Sequence, residues 1–112
     1  MNSRWFIKAE DLTAVEQRPG LTRRTMSYID DIMMCMFEQQ EGAELPLHKH
    51  EAVQNGYILS GKLKFFKADG SFVIAKAGDS YVFSSNEEHG SICLEKAVFI
   101  ENFAPARPEY KN

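Results

Sequence analysis

Long cationic runs and long apolar runs are both missing from this sequence. The longest basic run is Arg23–Arg24, and the 112 residues carry a formal net charge of −3, so electrostatics give no support to nucleic-acid binding. No apolar stretch approaches the roughly 20 residues of a membrane span, and none of signal-peptide length follows the start of the chain. We therefore expect a cytoplasmic protein without a nucleic-acid or membrane partner.

Cysteine is almost as scarce. Cys35 and Cys93 are the two thiols of the chain, and their spacing is not that of a metal site. We expect both to be reduced and partly buried, because free cysteine packs as a small apolar residue. A disulfide between them stays the alternative.

Helix signal is also nearly absent, beyond one turn near residues 9–12, and short extended runs between turn residues take its place. Strands are predicted near 5–8, 21–28, 32–39, 45–49, 54–59, 62–68, 71–75, 80–83, 89–94 and 97–103. The sharpest break is Asp69–Gly70, since glycine accepts a positive φ without a Cβ clash. Residues 105–112 contain two prolines and are expected to be extended and edge-lying.

About ten short strands must bury their apolar sides against one another, and the stable solutions are a sandwich or a barrel, jelly rolls included. We predict an all-β chain with a single domain, residues 1–112. The expected core surrounds Phe65, Ile74 and Phe99. The aromatic residues expected in the core or at an interface are Trp5, Phe6, Phe65, Phe66 and Phe72.

Three histidines are the residues best suited to chemistry. His48 and His50 stand two apart in an extended run, and residues i and i+2 of a strand share a face, so both imidazoles can face the interior. Gln54 follows on the next strand, and His89 begins a distant one. Three imidazoles and an amide oxygen would suit Fe, Mn, Ni, Cu, Co or Zn better than Ca or Mg. Taken singly, each histidine would more often be a surface or hydrogen-bonded core residue.

The spacing of these residues reverses that preference. The chain reads Gly42-x5-His48-x-His50-x3-Gln54-x6-Gly61 and, after sixteen intervening residues, Gly78-x5-Ser84-x-Asn86-x2-His89. The two stretches resemble the paired motifs of the cupin superfamily, in register at every gap. The resemblance implies a double-stranded β-helix, the jelly-roll barrel of the cupins, with one divalent transition metal ion on His48, His50, Gln54 and His89. The motif glycines are expected at strand ends, where the chain must turn.

Three positions depart from the cupin pattern. Gln54 stands where the family usually has glutamate, Ser84 and Asn86 replace a proline and a glycine, and Cys93 takes the place of a terminal asparagine. An amide in place of a carboxylate removes one negative charge from the ligands. A bound ion would keep more effective charge, and the acidity of bound water or substrate should rise.

A narrower resemblance covers nearly the whole chain. Residues 20–28 resemble the front half of the pectin-degradation small cupins, and the ending Glu101-x-Phe103-x-Pro105-x-Arg107 resembles theirs. The resemblance implies an acid, a phenylalanine and an arginine near the metal, at Glu101, Phe103 and Arg107, with Glu101 where the family has Asp. It also implies the family's activity, which is the opening of 4,5-unsaturated uronate monomers to linear keto sugars.

Strand parity independently supports an inward position for Glu101. Phe99, Glu101 and Phe103 alternate, so a strand that turns both phenylalanines inward turns Glu101 inward too. A buried acid in an apolar strand costs free energy unless it is paired, protonated or used. The plainer alternative is a glutamate at the barrel mouth bonded to Arg107.

The leading functional prediction is a metal-dependent enzyme of the lyase or isomerase type, acting on a small sugar acid. The metal would polarise a substrate oxygen, Glu101 would move a proton and Arg107 would hold the carboxylate. The alternatives are a metal-dependent dioxygenase of a small organic molecule and a non-catalytic metal- or sugar-binding module. A homodimer is expected, because the two-fold dimer is the commonest closed assembly.

Overall fold

The strands form two connected sheets in the computed structural model, which describes residues 3–112. Short 3-10 helices lie at Ala9–Asp11 and Pro108–Tyr110. The strands in the described residues are β1 Ala14–Arg18, β2 Leu21–Ile29, β3 Ile32–Gln39, β4 Glu44–His48, β5 Val53–Lys67, β6 Phe72–Lys76, β7 Ser80–Phe83 and β8 His89–Ala104.

Two long strands, β5 and β8, take part in both sheets. The first half of β5 pairs with the second half of β8, and the second half of β5 pairs with the first half of β8. The first sheet has the order β1-β2-β3-β8-β5-β7, and the second has the order β4-β8-β5-β6. Every pairing is antiparallel. This arrangement is the jelly-roll, double-stranded β-helix that the sequence predicts.

Alternate residues of the strands fill the space between the sheets. On β3 the inward side carries Met33, Cys35 and Phe37, and the ring of Phe37 stacks on that of Phe99 with centroids 5.5 Å apart. Cys35 and Cys93 both lie in the described part of the chain and are free and buried. Burial raises the pKa of the Cys35 thiol to about 11, so this group is an inert part of the core.

The strand predicted at 5–8 is wrong. Arg4 forms an isolated bridge with Tyr28, but Trp5 is 91% exposed and Phe6 is 64% exposed, so no sheet covers these aromatic rings. The strand that does enter the sheet nearby is β1, which the sequence did not predict. Its residues alternate between exposed and half-buried and include one β-branched residue, Val15, which leaves little strand signal.

The predicted turn at Gly61 is also wrong. Residues 54–59 and 62–68 belong to one strand, β5, just as 89–94 and 97–103 belong to β8. Gly61 has φ +86°, and a Cβ there would lie 2.1 Å from the carbonyl oxygen of Lys96. The glycine therefore permits a close approach of β5 to β8 where the register is irregular, and the chain bends there without reversing.

The expected core is correct for Phe65 and Phe99 and wrong for Ile74, which is 54% exposed. Ile74 lies on β6, at the edge of the second sheet, where β5 is the partner strand. Phe72 of the same strand is exposed as well, and Ala75 is its buried residue. No helix within residues 3–112 is long and apolar enough to cross a membrane. The cytoplasmic location stays a prediction.

Candidate functional site

The three histidines come together at one end of the barrel. His48 ends β4 and His89 begins β8, and the antiparallel pairing of these strands sets the two residues opposite each other. His50 follows β4 and shares the side of His48, as parity predicts. One ring nitrogen of each histidine lies within 4.8 Å of those of the other two, so the cluster could hold a metal ion.

Backbone carbonyl groups orient all three imidazoles. The Nδ1 atoms of His48, His50 and His89 contact carbonyl oxygens, namely Pro46 at 3.0 Å, Ala52 at 2.7 Å and Glu87 at 2.8 Å. A carbonyl oxygen accepts only, so each Nδ1 carries the proton and each Nε2 keeps its lone pair. The Nε2 atoms of His50 and His89 are buried without a hydrogen-bond partner among residues 3–112. These residues fit a divalent cation, which would satisfy both lone pairs.

Burial also keeps the imidazoles uncharged. It is the largest cause lowering the pKa of His48, His50 and His89, and the value for His89 falls to about 4. The ring of His89 stacks on Phe83 with centroids 4.1 Å apart and planes 8° apart. At neutral pH these histidines are therefore neutral, as metal ligands must be.

Gln54 and Glu101 form a buried hydrogen-bonded pair beside the histidines. Gln54 Nε2 donates to Glu101 Oε2 at 2.9 Å, and the hydroxyl of Tyr81 donates to the same oxygen at 2.6 Å. Burial raises the pKa of Glu101 to about 7, and the bonds from Tyr81 and Gln54 oppose that rise. A carboxyl group with such a pKa can both take and give a proton near neutral pH.

Glu101 points inward between Phe99 and Phe103, as parity predicts. Its expected partner Arg107 makes no hydrogen bond to it in the described structure. The Arg107 guanidinium instead donates through Nη1 to the Tyr110 hydroxyl at 2.8 Å and lies 3.4 Å from Glu109 Oε2. The plainer alternative, a mouth glutamate bonded to Arg107, is therefore wrong, because Tyr81 and Gln54 take the place of the arginine.

The end of the chain forms one wall of the site. Residues 105–112 were expected to be extended, but they include the 3-10 helix Pro108–Tyr110, which sets the Tyr110 ring against Phe103 with centroids 5.5 Å apart. Cζ of Arg107 lies 4.1 Å from the Tyr110 ring centroid and 5.4 Å from that of Phe103. Phe103 is fully buried, and its ring centroid lies 5.9 Å from that of His50. Arg107 is thus held by cation–π contacts with two aromatic rings.

These groups open into one cavity of about 180 Å³. Its polar lining residues are Gln17, Arg18, Gln39, His48, Gln54, His89, Ser91, Glu101, Arg107 and Tyr110. His50 is not among the lining residues, and its ring packs against Phe103. Sequence reasoning missed Gln17 and Arg18, since it missed β1, and it gave Tyr110 no role in the site, since it expected an extended tail. Tyr81 lay within a predicted strand and shares the parity of buried Phe83, and that signal could have found it.

A pH-dependent stability difference is expected for Glu101→Gln. The folded pKa of about 7 lies above the ordinary value of 4.5, so between these pH values the folded wild type holds a proton that the unfolded chain has released. Ionisation of Glu101 therefore costs stability as pH rises. The free energy of unfolding of Glu101→Gln, relative to wild type, should increase from pH 4.5 to 7 by about 3 kcal/mol at most and level off above pH 7. Urea unfolding of chelator-treated protein measures this difference.

The histidines change the pH dependence of the free energy of unfolding in the opposite direction. Their contribution is the same in wild type and in Glu101→Gln, so it cancels in the difference. Their lowered pKa values mean that the unfolded chain binds more protons, so their contribution rises with pH in both proteins. Glu95→Gln, in the exposed part of β8, is the control and should show a flat difference. A flat difference for Glu101→Gln as well would contradict the buried, proton-holding carboxyl group.

Comparison with known proteins agrees with this architecture. The cupin domain family matches residues 35–101. The pectin degradation protein KdgF of Dickeya dadantii is 34% identical over 110 residues, which cover 96% of this chain and 97% of that protein. An RmlC-like cupin from Shewanella frigidimarina superposes with a TM-score of 0.91 at 26% identity, over 98% of this chain and 99% of that one. KdgF from Halomonas superposes with a TM-score of 0.85 at 25% identity, over 93% and 96%. The chain belongs to the cupin family and, within it, to the KdgF-type proteins.

Proposed function

We propose that residues 1–112 form a single cupin domain that binds one divalent transition metal ion and opens the ring of an unsaturated uronate. The observation that carries this proposal is the shared cavity. His48, His89, Glu101 and Arg107 all line the same space of about 180 Å³. A site for a sugar acid needs a place for an oxygen, a group that moves a proton and a cation for the carboxylate, and this cavity offers all three.

The metal would be held by His48, His50, Gln54 and His89. The carbonyl-bound Nδ1 atoms leave the Nε2 lone pairs free for a metal, one ring nitrogen of each histidine lies within 4.8 Å of the others, and Gln54 is buried. When bound, a divalent ion would supply Lewis-acid polarisation of a substrate hydroxyl or carbonyl oxygen. The native metal is one of Fe, Mn, Ni, Zn, Cu or Co, the ions that imidazole and amide ligands favour.

Glu101, Arg107 and Phe103 would act on the substrate. Glu101 has a pKa of about 7 and faces the cavity, so it is suited to take a proton from one atom of the sugar and return it to another. The Arg107 guanidinium lies over the Tyr110 ring, and its planar fork matches a carboxylate. Phe103 contacts both His50 and Arg107, and its apolar ring would keep water from this part of the cavity.

The charge of the lining favours this function over the oxygen-chemistry alternative. A dioxygenase of an apolar molecule needs an apolar pocket, whereas Arg18, Arg107 and Glu101 place charged groups around this cavity. The names of the relatives support the same choice, since the Dickeya dadantii protein is a pectin degradation protein. A non-catalytic binding module would share the metal cluster but would have no use for a proton-holding carboxyl group.

The decisive experiment measures metal content and then turnover of unsaturated galacturonate and mannuronate monomers. Wild type should hold one divalent ion per chain and consume one of these sugars. His48→Ala and His89→Ala should lose the metal and the activity while the barrel stays folded, since the core survives the loss of a polar site built upon it. Lys49→Ala, an exposed residue between His48 and His50, is the matched control and should behave as wild type.

Two other outcomes of this experiment have distinct meanings. Complete unfolding of the histidine variants would show that the metal is structural. Metal-loaded wild type that turns over no uronate would remove the proposed substrate and leave the cupin metal site.

Kinetics of two conservative variants test the roles of Glu101 and Arg107. Glu101→Gln should lower kcat by about 10²–10⁴-fold with the metal still bound, because a general acid–base group contributes about that much. Arg107→Lys should mainly raise KM, because an ammonium group cannot make two parallel hydrogen bonds to a carboxylate. Initial rates and metal analysis of each variant provide both readouts. An unchanged kcat in Glu101→Gln would contradict the proposed proton transfer.

We infer in addition that two copies pair through the outer side of the first sheet. Exposed apolar side chains of β5 and β7, here called the outer apolar face, are Val53, Tyr57, Leu59 and Val82. Apolar patches of this kind mark interaction sites, and a two-fold dimer is the simplest way to cover one.

Sedimentation should give twice the 12.8 kDa chain mass. Tyr57→Lys should shift the protein to monomer, whereas Val73→Lys on β6 should not. A monomeric wild type would contradict the pairing.

A further inference from the structure

Tyr81, Gly56 and Glu101 lie in one row across three neighbouring strands of the first sheet. Gly56 of β5 pairs with Tyr81 of β7 on one side and with Glu101 of β8 on the other. A whole strand therefore separates Tyr81 from Glu101, which places their backbones roughly 10 Å apart. The Tyr81 hydroxyl nevertheless donates to Glu101 Oε2 at 2.6 Å. The tyrosine side chain must lie across β5 to do so.

The missing side chain of Gly56 makes this crossing possible. A Cβ on Gly56 would lie 2.3 Å from both Cζ and the hydroxyl oxygen of Tyr81, a contact that real Cβ atoms do not make. Gly56 is not among the glycines with positive φ in the described residues, so the fold uses its lack of a side chain and not its backbone freedom. The Tyr81 ring also packs against Phe65, with centroids 4.2 Å apart.

The oxygen that accepts from Tyr81 also orients Gln54. Glu101 Oε2 accepts from Gln54 Nε2 at 2.9 Å, so the donor end of this amide faces Glu101. The two ends of an amide are nearly equal in size, and hydrogen bonding alone decides which way it points. Oε2 accepts both bonds whether or not the other carboxyl oxygen carries a proton. The orientation of Gln54 is therefore independent of the ionisation of Glu101.

We propose that Tyr81 is a positioning residue that, through Glu101, holds the Gln54 amide with its oxygen towards the histidine cluster. The inference rests on the proposed role of Gln54 as a metal ligand. Without the phenol, the terminal torsion of Glu101 becomes free to rotate, since such torsions are broad. Gln54 then loses the acceptor that defines its donor end. Tyr81 does not line the cavity, and its route to the metal site is the hydrogen bond to Glu101.

Co²⁺ binding to the whole chain tests this inference without any assay of turnover. Tyr81→Phe removes the hydroxyl and keeps the ring on Phe65. Affinity for Co²⁺, measured by competition with a chromophoric chelator, should fall about tenfold, as for other groups that orient metal ligands. The visible spectrum of bound Co²⁺ should change, because it follows ligand type and geometry. Gly56→Ala, which displaces the ring, should change both in the same direction.

Control variants separate positioning from packing. Tyr57→Phe removes a hydroxyl from the outer side of β5 and should leave affinity and spectrum unchanged. Glu101→Gln can offer an amide oxygen in place of Oε2 and should stay close to wild type. Glu101→Leu cannot, and it should lose affinity. Urea unfolding of each variant verifies that the barrel is intact.

The order of action is tested by a double variant. If Tyr81 acts through Glu101, adding Tyr81→Phe to Glu101→Leu should cause no further loss of affinity. A further tenfold loss in the double variant, or wild-type affinity and spectrum in Tyr81→Phe, would overturn the positioning role and leave the metal site in place. Wild type that binds no Co²⁺ would instead overturn the metal site of the proposed function, and this inference with it.

Discussion

The antiparallel pairing of β5 with β8 is the interaction on which the site depends. It sets Gln54 opposite Phe103 and Gly56 opposite Glu101 in the first sheet, and it continues through the bend into the second sheet, where Lys67 pairs with His89. Because side chains alternate, this one register turns Gln54, Glu101 and Phe103 to the inner face together. A slip of β5 by one residue along β8 would turn Gln54 outward while Glu101 and Phe103 stayed inward, and the site would lose one of its members. β4 pairs with the beginning of β8 and so brings His48, and His50 just after it, to the end of the barrel where His89 lies.

The sequence predicts the fold class and most strands because alternation and turn residues are local signals. It fails where the determining contact is distant. Ser60–Gly61 has the composition of a turn, yet Gly61 is needed because the carbonyl of Lys96 lies against it, and that contact spans both long strands. The segment at 5–8 has the composition of a strand, but it pairs with no strand in the described structure. For Ile74, local hydrophobicity predicts burial, whereas its place on an edge strand leaves it exposed.

In the site, too, the features with a local sequence signal are predicted and those that depend on distant contacts are not. His48, His50 and His89 were identified from spacing, and the inward position of Glu101 follows from the parity of Phe99 and Phe103. The hydrogen bond from Tyr81 to Glu101 could not be predicted in the same way. Parity gives the face on which a side chain lies, but it does not show that a side chain from a more distant strand reaches over the neighbouring one. Tyr81 reaches Glu101 over Gly56, a residue that no motif marks. The sequence predicts Arg107 near the carboxyl group of Glu101, and both residues do line the cavity. The hydrogen bond of Arg107, however, goes to the hydroxyl of Tyr110, because residues 108–110 form a short helix.

The amide at position 54 can now be understood from its neighbour. Gln54 Nε2 lies 2.9 Å from Glu101 Oε2, and both side chains are buried. The glutamate that cupins usually carry at this position would set two carboxyl groups at hydrogen-bond distance, and like charges so close would force one of them to hold a proton. A glutamine meets Glu101 with a donor, and its amide oxygen stays available for the metal of the proposed site. In that site, the negative charge that a glutamate would contribute at position 54 is replaced by a carboxyl group at position 101, on the adjacent strand and beside the cavity.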